Sequence, residues 1–265
     1  MFDLRQTRRF VAVLIIACGF ASSTCAAYRR DGGDPAQASK RGPSETVREF
    51  YRALHERRFR DAFAISIYQP AIAGLSDEEF ADLRPDFERI AAAVPENFEI
   101  VGEQISGDEA TVFIRLSDDK TAPPESVALL RAGSGWIVGD RQSRDLVLKR
   151  GKDFFFQARI DAHHNEVQAM LQRIAAAQLI YSARNDGRFA DLATLIKEGL
   201  VPKDIETPDS TGYRFHIALA SDKRSYAVRA EPARYGRTGR LSFYMDRNGI
   251  KSKDTGGRPL AENEK

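Results

Sequence analysis

The sequence predicts an α+β protein with two folded domains. Two groups of short alternating strands each follow helical segments, and a long helix at residues 153–184 opens the second group. Residues 41–140 carry 11 Lys/Arg against 19 Asp/Glu, whereas residues 141–260 carry 22 against 14. Opposite charges indicate two domains that dock on each other, or a basic face for an anionic surface; solvated faces of separate domains explain them equally well.

The amino terminus carries a predicted export signal. Three arginines precede an apolar core at residues 10–17, which is too short to span a bilayer as a helix. Cys18 follows this core. The residues Ile-Ile-Ala-Cys at 15–18 resemble a bacterial lipobox, which implies acylation of Cys18 and attachment to a membrane. The alternative is cleavage by an ordinary signal peptidase after Ala27.

We therefore expect an exported protein of the cell envelope, anchored as an outer-membrane lipoprotein that faces the periplasm or the surface. The only cysteines are Cys18 and Cys25, so the folded part has no disulfide and no thiolate metal site. The predicted organisation is a signal sequence at 1–27, a flexible tether at 28–42, a first domain at 43–145, a second domain at 153–255 and a disordered tail at 256–265.

The first domain is predicted to begin with helices and to end with a sheet. Ser44 is the expected N-cap of a helix that continues to Ile67 with a bend near residues 57–60. Ser76 and Glu79 form a capping-box pattern for a second helix, which Pro85 is expected to break or restart. Alternating segments then predict strands at residues 98–105, 110–116, 126–131 and 136–138.

This order resembles the nuclear-transport-factor-2-like cone fold. The matching residues are 46–54 with Phe59 and Ala62-Phe63, and the final strand 135–138. The resemblance implies a curved antiparallel sheet with a cavity, and enzymes of this fold place an aspartate or a histidine inside it. The strand residues expected to face the cavity and to bind an apolar ligand include neither: they are Ile105, Val112, Ile114, Val127, Leu129 and Trp136.

The second domain is predicted to start with one continuous helix. Asn185-Asp186-Gly187 ends it, and a short helix and alternating strands follow. Its segments 175–181, 187–192 and 241–250 resemble the globular half of type IV pilins and pseudopilins, which implies a long helix packed on a small antiparallel sheet. Pilins carry about twenty apolar residues before this helix, whereas this chain has three phenylalanines at 154–156.

Candidate chemistry is sparse. His163 and His164 are adjacent, so they point about 100° apart on a helix and do not form an i, i+4 ligand pair. Their side of the helix is interpreted as solvated. Arginines interleaved with tyrosines near the end of the second sheet are typical of single-stranded nucleic-acid grooves and equally of contacts with anionic lipids. We expect no catalytic residue, no metal site, no cofactor and no nucleic-acid partner.

The predicted function is that of a non-catalytic envelope lipoprotein. It would act as a scaffold or accessory component, linked to a pilus or secretion system, and would contact the membrane through its lipid anchor. Apolar residues on both faces of the first sheet also predict a homodimer through that sheet, or a bound apolar ligand. The alternative function is that of a carrier of small apolar ligands in the cone cavity.

Overall fold

The computed structural model describes residues 41–94, 97–116, 123–209 and 211–264. These residues form a mixed α+β protein with two four-stranded antiparallel sheets and one long helix, which confirms the predicted class. The chain divides into two compact units, with the boundary between Phe154 and Phe155. Cys18 and the rest of the predicted signal lie outside the described residues. No helix in the described ranges is both long and apolar enough to cross a bilayer.

The described part of unit 1 contains five α-helices. The helix predicted to continue to Ile67 ends at His55, and the chain turns at Arg57, with φ of 60°, where a bend was predicted. The second predicted helix begins at the Ser76–Glu79 capping box, as expected, but Pro85 does not break it. Leu83 and Phe87 are fully buried on either side of this proline, and their packing stabilises the helix as it continues through Pro85. The helices are α1 (Pro43–His55), α2 (Phe59–Ala64), α3 (Gln69–Ala73), α4 (Asp77–Ala93) and α5 (Arg141–Arg150).

The first sheet is an antiparallel meander in which each strand pairs with the next along the chain. Helix α1 packs across one face and buries Val47, Phe50 and Leu54 to 4% exposure or less. Burial of apolar side chains at this spacing explains why α1 forms where it does. The strands are β1 (Glu99–Ser106), β2 (Glu109–Arg115), β3 (Glu125–Ala132) and β4 (Gly135–Val138).

Unit 2 is built on the long helix α6 (Phe154–Arg184), whose continuity was predicted and is confirmed. Its 31 residues extend about 46 Å. Leu171 and Ile174 of α6 share a core with Tyr213 and Phe243 of the second sheet, and all four are fully buried. The other elements are α7 (Leu192–Lys197), β5 (Tyr213–Leu219), β6 (Tyr226–Pro232), β7 (Leu241–Asp246) and β8 (Gly249–Asp254), and the strands pair in sequence order.

The structure describes the carboxyl-terminal segment, for which disorder was predicted from residue 256, up to Glu264. Leu260 is 1% exposed, and the carbonyl of Arg258 accepts a hydrogen bond from the Ser242 hydroxyl at 2.7 Å. Ser242 lies on β7, so the segment folds back on the second sheet. The buried leucine and the hydrogen bonds to the sheet stabilise this packing.

Candidate functional site

The residues predicted to line an apolar cavity lie on one face of the first sheet. Val112 pairs with Val127, and Ala110 pairs with both Ile105 and Leu129, so the strand register puts these side chains on the same side. Four of the predicted residues, Val112, Ile114, Val127 and Leu129, are 0–2% exposed and Trp136 is 8% exposed, under the face that α1 covers. They form part of the unit's core. Ile105, near the end of β1, is 50% exposed.

The opposite face of this sheet is less covered. Phe113 on β2 and Ile137 on β4 are half-buried, while Leu130 on β3 is buried. Apolar side chains therefore occur on both faces, as the sequence indicated. The homodimer through this sheet stays a prediction.

A cavity of about 650 Å³ occurs elsewhere in unit 1, between the end of α1 and the end of α4. Its basic wall consists of Arg48, Arg52, His55 and Arg57, with Glu56 beside them. Its apolar wall consists of Ala91, Ala92, Val94 and Phe98. The arrangement combines cationic hydrogen-bond donors with small apolar side chains, which is the composition of a site for an anionic group on an apolar body.

Helix α1 places three of the basic residues. Arg48, Arg52 and His55 follow one another at i, i+4 and i+7, so they form a stripe along one side of the helix. This stripe lies beside the buried stripe that packs on the sheet. The apolar packing of α1 therefore fixes the direction in which the basic residues point.

The fourth basic residue follows the end of α1. The Arg58 N–H donates to the Ala53 carbonyl at 2.8 Å and the Arg57 N–H donates to the Leu54 carbonyl at 3.1 Å, the bonds of a Schellman motif. Such a motif favours glycine at the position of Arg57, because its φ is positive. A side chain there costs about 1–2 kcal/mol. The chain retains an arginine on the cavity wall at this cost.

The charges around the cavity are unequal. The lining contains three guanidinium groups against the single carboxylate of Glu56. That carboxylate is bound by Arg58 at 2.7 Å, and Glu49 is bound by both Arg58 and Arg52. The nearby acids are thus engaged by arginines, and the lining keeps an excess of positive charge. Because these groups are largely exposed, the ion pairs contribute little to stability.

The apolar wall rests on the aromatic packing of the unit. Phe98 meets the ring of Tyr51 edge-on, with a centroid distance of 4.9 Å. Burial raises the pKa of the Tyr51 hydroxyl, so this ring is neutral throughout the physiological range. Ala91 and Ala92 contribute only methyl groups at the end of α4, which leaves room between the two helices.

A second candidate surface lies on α6 of unit 2. Leu179 and Ile180 are 68% and 44% exposed, the former the most exposed large apolar side chain among the described residues. Exposed alanines at 169, 176 and 183 repeat every seven residues along the same side. We call these five residues the outer face of α6. Their spacing suits packing against another helix, because small side chains allow two backbones to approach closely.

The two histidines of α6 have structural partners. His163 is 6% exposed, and its Nδ1 lies 2.8 Å from the carbonyl oxygen of Thr238, so the interpretation that this side of the helix is solvated is wrong. His164 Nε2 accepts hydrogen bonds from the N–H groups of Arg240 and Leu241 at 3.2 and 3.3 Å. Burial lowers the pKa of His164, so it remains the neutral acceptor that these bonds require. Both histidines attach the loop before β7 to α6.

Several of the interleaved arginines and tyrosines near the end of the second sheet make contacts within unit 2. Tyr226 packs edge-on against Phe189 at 4.8 Å, and the Tyr235 hydroxyl donates to the carboxylate of Asp254. The Arg237 guanidinium lies 4.1 Å from the ring centre of Phe156. The absence of a nucleic-acid partner stays a prediction.

A polar pair occupies the other face of the second sheet. His216 Nε2 lies 3.0 Å from Oε1 of Glu231, whose residue is 8% exposed. Glu231 Oε2 is buried and has no hydrogen-bond partner among the described residues. Within those residues, no group of three or more His, Cys, Asp or Glu side chains has an arrangement that could hold a metal ion. The pair alone defines neither a nucleophile nor a metal site.

The basic stripe of α1 was not predicted, although its spacing is visible in the sequence. Arg48, Arg52 and His55 have the same periodicity as the apolar residues that predicted the helix, but attention to apolar residues alone overlooked it. The position of Arg57 had no comparable signature. Comparison with protein-family models, with curated proteins and with solved structures finds no match for this chain.

Proposed function

We propose that the protein is a non-catalytic scaffold or accessory component of the bacterial cell envelope, exported and anchored through acylated Cys18. In this proposal residues 43–145 adopt a cone fold and residues 153–255 are a pilin-like head. The partner is a protein of a pilus or secretion system. The observation that carries the proposal is the outer face of α6, where two large apolar side chains are exposed to solvent.

The exposure of Leu179 and Ile180 has an energetic meaning. Complete burial of one such side chain contributes about 1.5–3 kcal/mol, and both are largely or partly exposed. A partner that covers both would gain a substantial part of that free energy. Isolated apolar residues on a surface need no explanation. Two adjacent apolar residues in line with three exposed alanines at seven-residue spacing indicate a contact surface.

Charges beside the outer face indicate the chemistry of the partner. Arg173 and Arg184 are both exposed on α6 and flank the apolar residues. A partner helix with an apolar stripe and flanking carboxylates would match both features. A second copy of this chain fits less well as the partner. If two copies of α6 packed antiparallel, with Leu179 of one against Ala169 of the other, the two Arg173 side chains would lie next to the symmetry axis and repel each other.

The test compares two variants in which exposed apolar side chains are replaced by glutamate. The chain with Leu179→Glu and Ile180→Glu should lose a partner that the wild type retains in envelope extracts. Leu148→Glu is the matched control, because Leu148 is 53% exposed on α5 of unit 1. A retained protein with the apolar and acidic stripe described above supports the proposal. Equal retention by both variants, or retention of nothing but a second copy, would contradict it.

The alternative function, a carrier of small apolar ligands, has less support. Val112, Ile114, Val127 and Leu129 pack in the core beneath α1. A ligand among them would have to displace side chains that already fill the space, and core packing leaves few voids.

A further inference from the structure

We propose that the cavity between α1 and α4 binds a phosphate or carboxylate group attached to a small apolar body. This site belongs to unit 1 and is independent of the outer face of α6. Its recognition elements are the guanidinium groups of Arg48, Arg52 and Arg57 on one wall and the apolar wall at the end of α4.

The shape and lining of the cavity indicate this ligand class. A volume of about 650 Å³ lies in the range of small-molecule sites. Guanidinium groups bind phosphate and carboxylate through paired, charge-assisted hydrogen bonds. Ala91, Val94 and Phe98 offer no hydrogen bonds, so the part of the ligand that meets them is apolar. A ligand with both parts satisfies both walls.

Helix ends alone do not explain the basic residues. Cations near the carboxyl terminus of a helix interact favourably with its dipole, and this accounts for Arg52 and His55 in the last turn of α1. Arg48 stands one turn earlier, where the effect of the dipole is weak. The guanidinium Nη1 of Arg57 also donates a hydrogen bond to the Leu54 carbonyl, at 3.3 Å. Glycine at the same position would nevertheless adopt the positive φ without strain.

The strained arginine gives the proposal its sharpest test. Replacing Arg57 by glycine removes a cation from the cavity and relieves the backbone at once. Stability should therefore be unchanged or higher, by up to a few degrees in the thermal midpoint, while ligand affinity falls. Lys223→Gly is the matched control, since Lys223 has φ of 57° in unit 2 and is remote in sequence from the cavity. It should change stability in the same direction and leave ligand affinity unchanged.

Isothermal titration of the full chain would measure binding of hexyl phosphate, inorganic phosphate and hexanol. We expect hexyl phosphate to bind best, because only it engages both walls. Arg57→Gly and Arg48→Gln should each weaken its binding about tenfold or more, the effect of losing one charge-assisted hydrogen bond. No binding of hexyl phosphate, equal binding of hexanol, or unchanged affinity in both variants would overturn the proposal.

Two further arms identify the source of the ligand and exclude an internal one. Binding to vesicles with anionic phosphatidylglycerol that Arg57→Gly weakens and Lys223→Gly preserves would show a lipid headgroup; hexyl phosphate binding without that difference would show a free ligand. Glu96 lies between Val94 and Phe98 in the sequence and outside the described residues. If hexyl phosphate bound only after Glu96→Gln, the chain's own carboxylate would be the occupant and the proposal would fail.

Discussion

Replacing Gln178 by methionine should strongly destabilise unit 2. Gln178 is fully buried on α6, and its amide makes two hydrogen bonds with the backbone of Ala190. The side-chain N–H donates to the Ala190 carbonyl at 2.6 Å, and the side-chain oxygen accepts from the Ala190 N–H at 2.9 Å. These bonds attach the segment before α7 to the long helix. Methionine preserves the approximate volume but makes neither bond.

The magnitude follows from the two backbone groups that would be left without partners. Each buried, unsatisfied group costs about 1–3 kcal/mol, so the substitution should cost about 2–6 kcal/mol. In a unit of this size, the thermal midpoint should fall by roughly 10 °C or more. The matched control is Gln168→Met at an exposed position of the same helix, which should change stability by about 0.5 kcal/mol or less.

Thermal unfolding of the full chain, combined with hydrogen exchange at the Ala190 amide, would measure both effects. The Gln178 variant should unfold at a lower temperature and exchange this amide faster than the Gln168 variant. If the two variants had the same midpoint and the same exchange rate, the hydrogen bonds would not hold this segment and the reasoning would be refuted.

Three further predictions concern a histidine, a glycine and the cysteine of the signal. Because the folded-state pKa of His164 is lowered, the unfolded chain takes up its proton first as pH falls below about 6.5, and stability should decline there. His164→Gln should reduce this decline in denaturation curves, and an unchanged decline would contradict the prediction. Gly239→Ala places a β-carbon against the Tyr213 phenol and should cost about 1–3 kcal/mol in thermal unfolding, while Gly135→Ala, which meets nothing within 4 Å, serves as the control. Cys18 should incorporate a fatty-acid label in cells and lose it on Cys18→Ala; a mature chain that begins at Tyr28 without label would show cleavage after Ala27 instead.

The sequence predicted elements well where a repeated pattern specified them. The apolar stripe of α6 and the Ser76–Glu79 capping box each combine several residues with one consistent geometry. A bend near residues 57–60 was predicted, but the end of the helix with a positive φ at Arg57 was not, because arginine carries none of the local preference for a positive φ that glycine has. The predicted break at Pro85 was wrong, because the tertiary packing of Leu83 and Phe87 outweighed the local tendency of proline to end a helix.

The candidate sites were harder to predict than the elements. Alternation correctly identifies which strand residues share a face, but it does not distinguish a ligand cavity from a packed core. That distinction depends on α1, which covers Val112 and Leu129 and leaves Ile105 half exposed. The basic cavity combines α1, the end of α4 and Phe98 just before β1, and no single stretch of sequence contains that combination. The outer face of α6 was not predicted, because the helix was predicted from the apolar residues on its opposite, buried side.

The most direct test of the proposed scaffold function is photo-cross-linking in intact cells. A photoreactive amino acid replaces Leu179 in the outer face of α6, and in a parallel strain it replaces Ser252, an exposed residue of β8. We predict that position 179 cross-links to one envelope protein that carries an apolar, acid-flanked helix, and that position 252 does not. Absence of a product at position 179, the same products at both positions, or a product that contains only two copies of this chain would contradict the account.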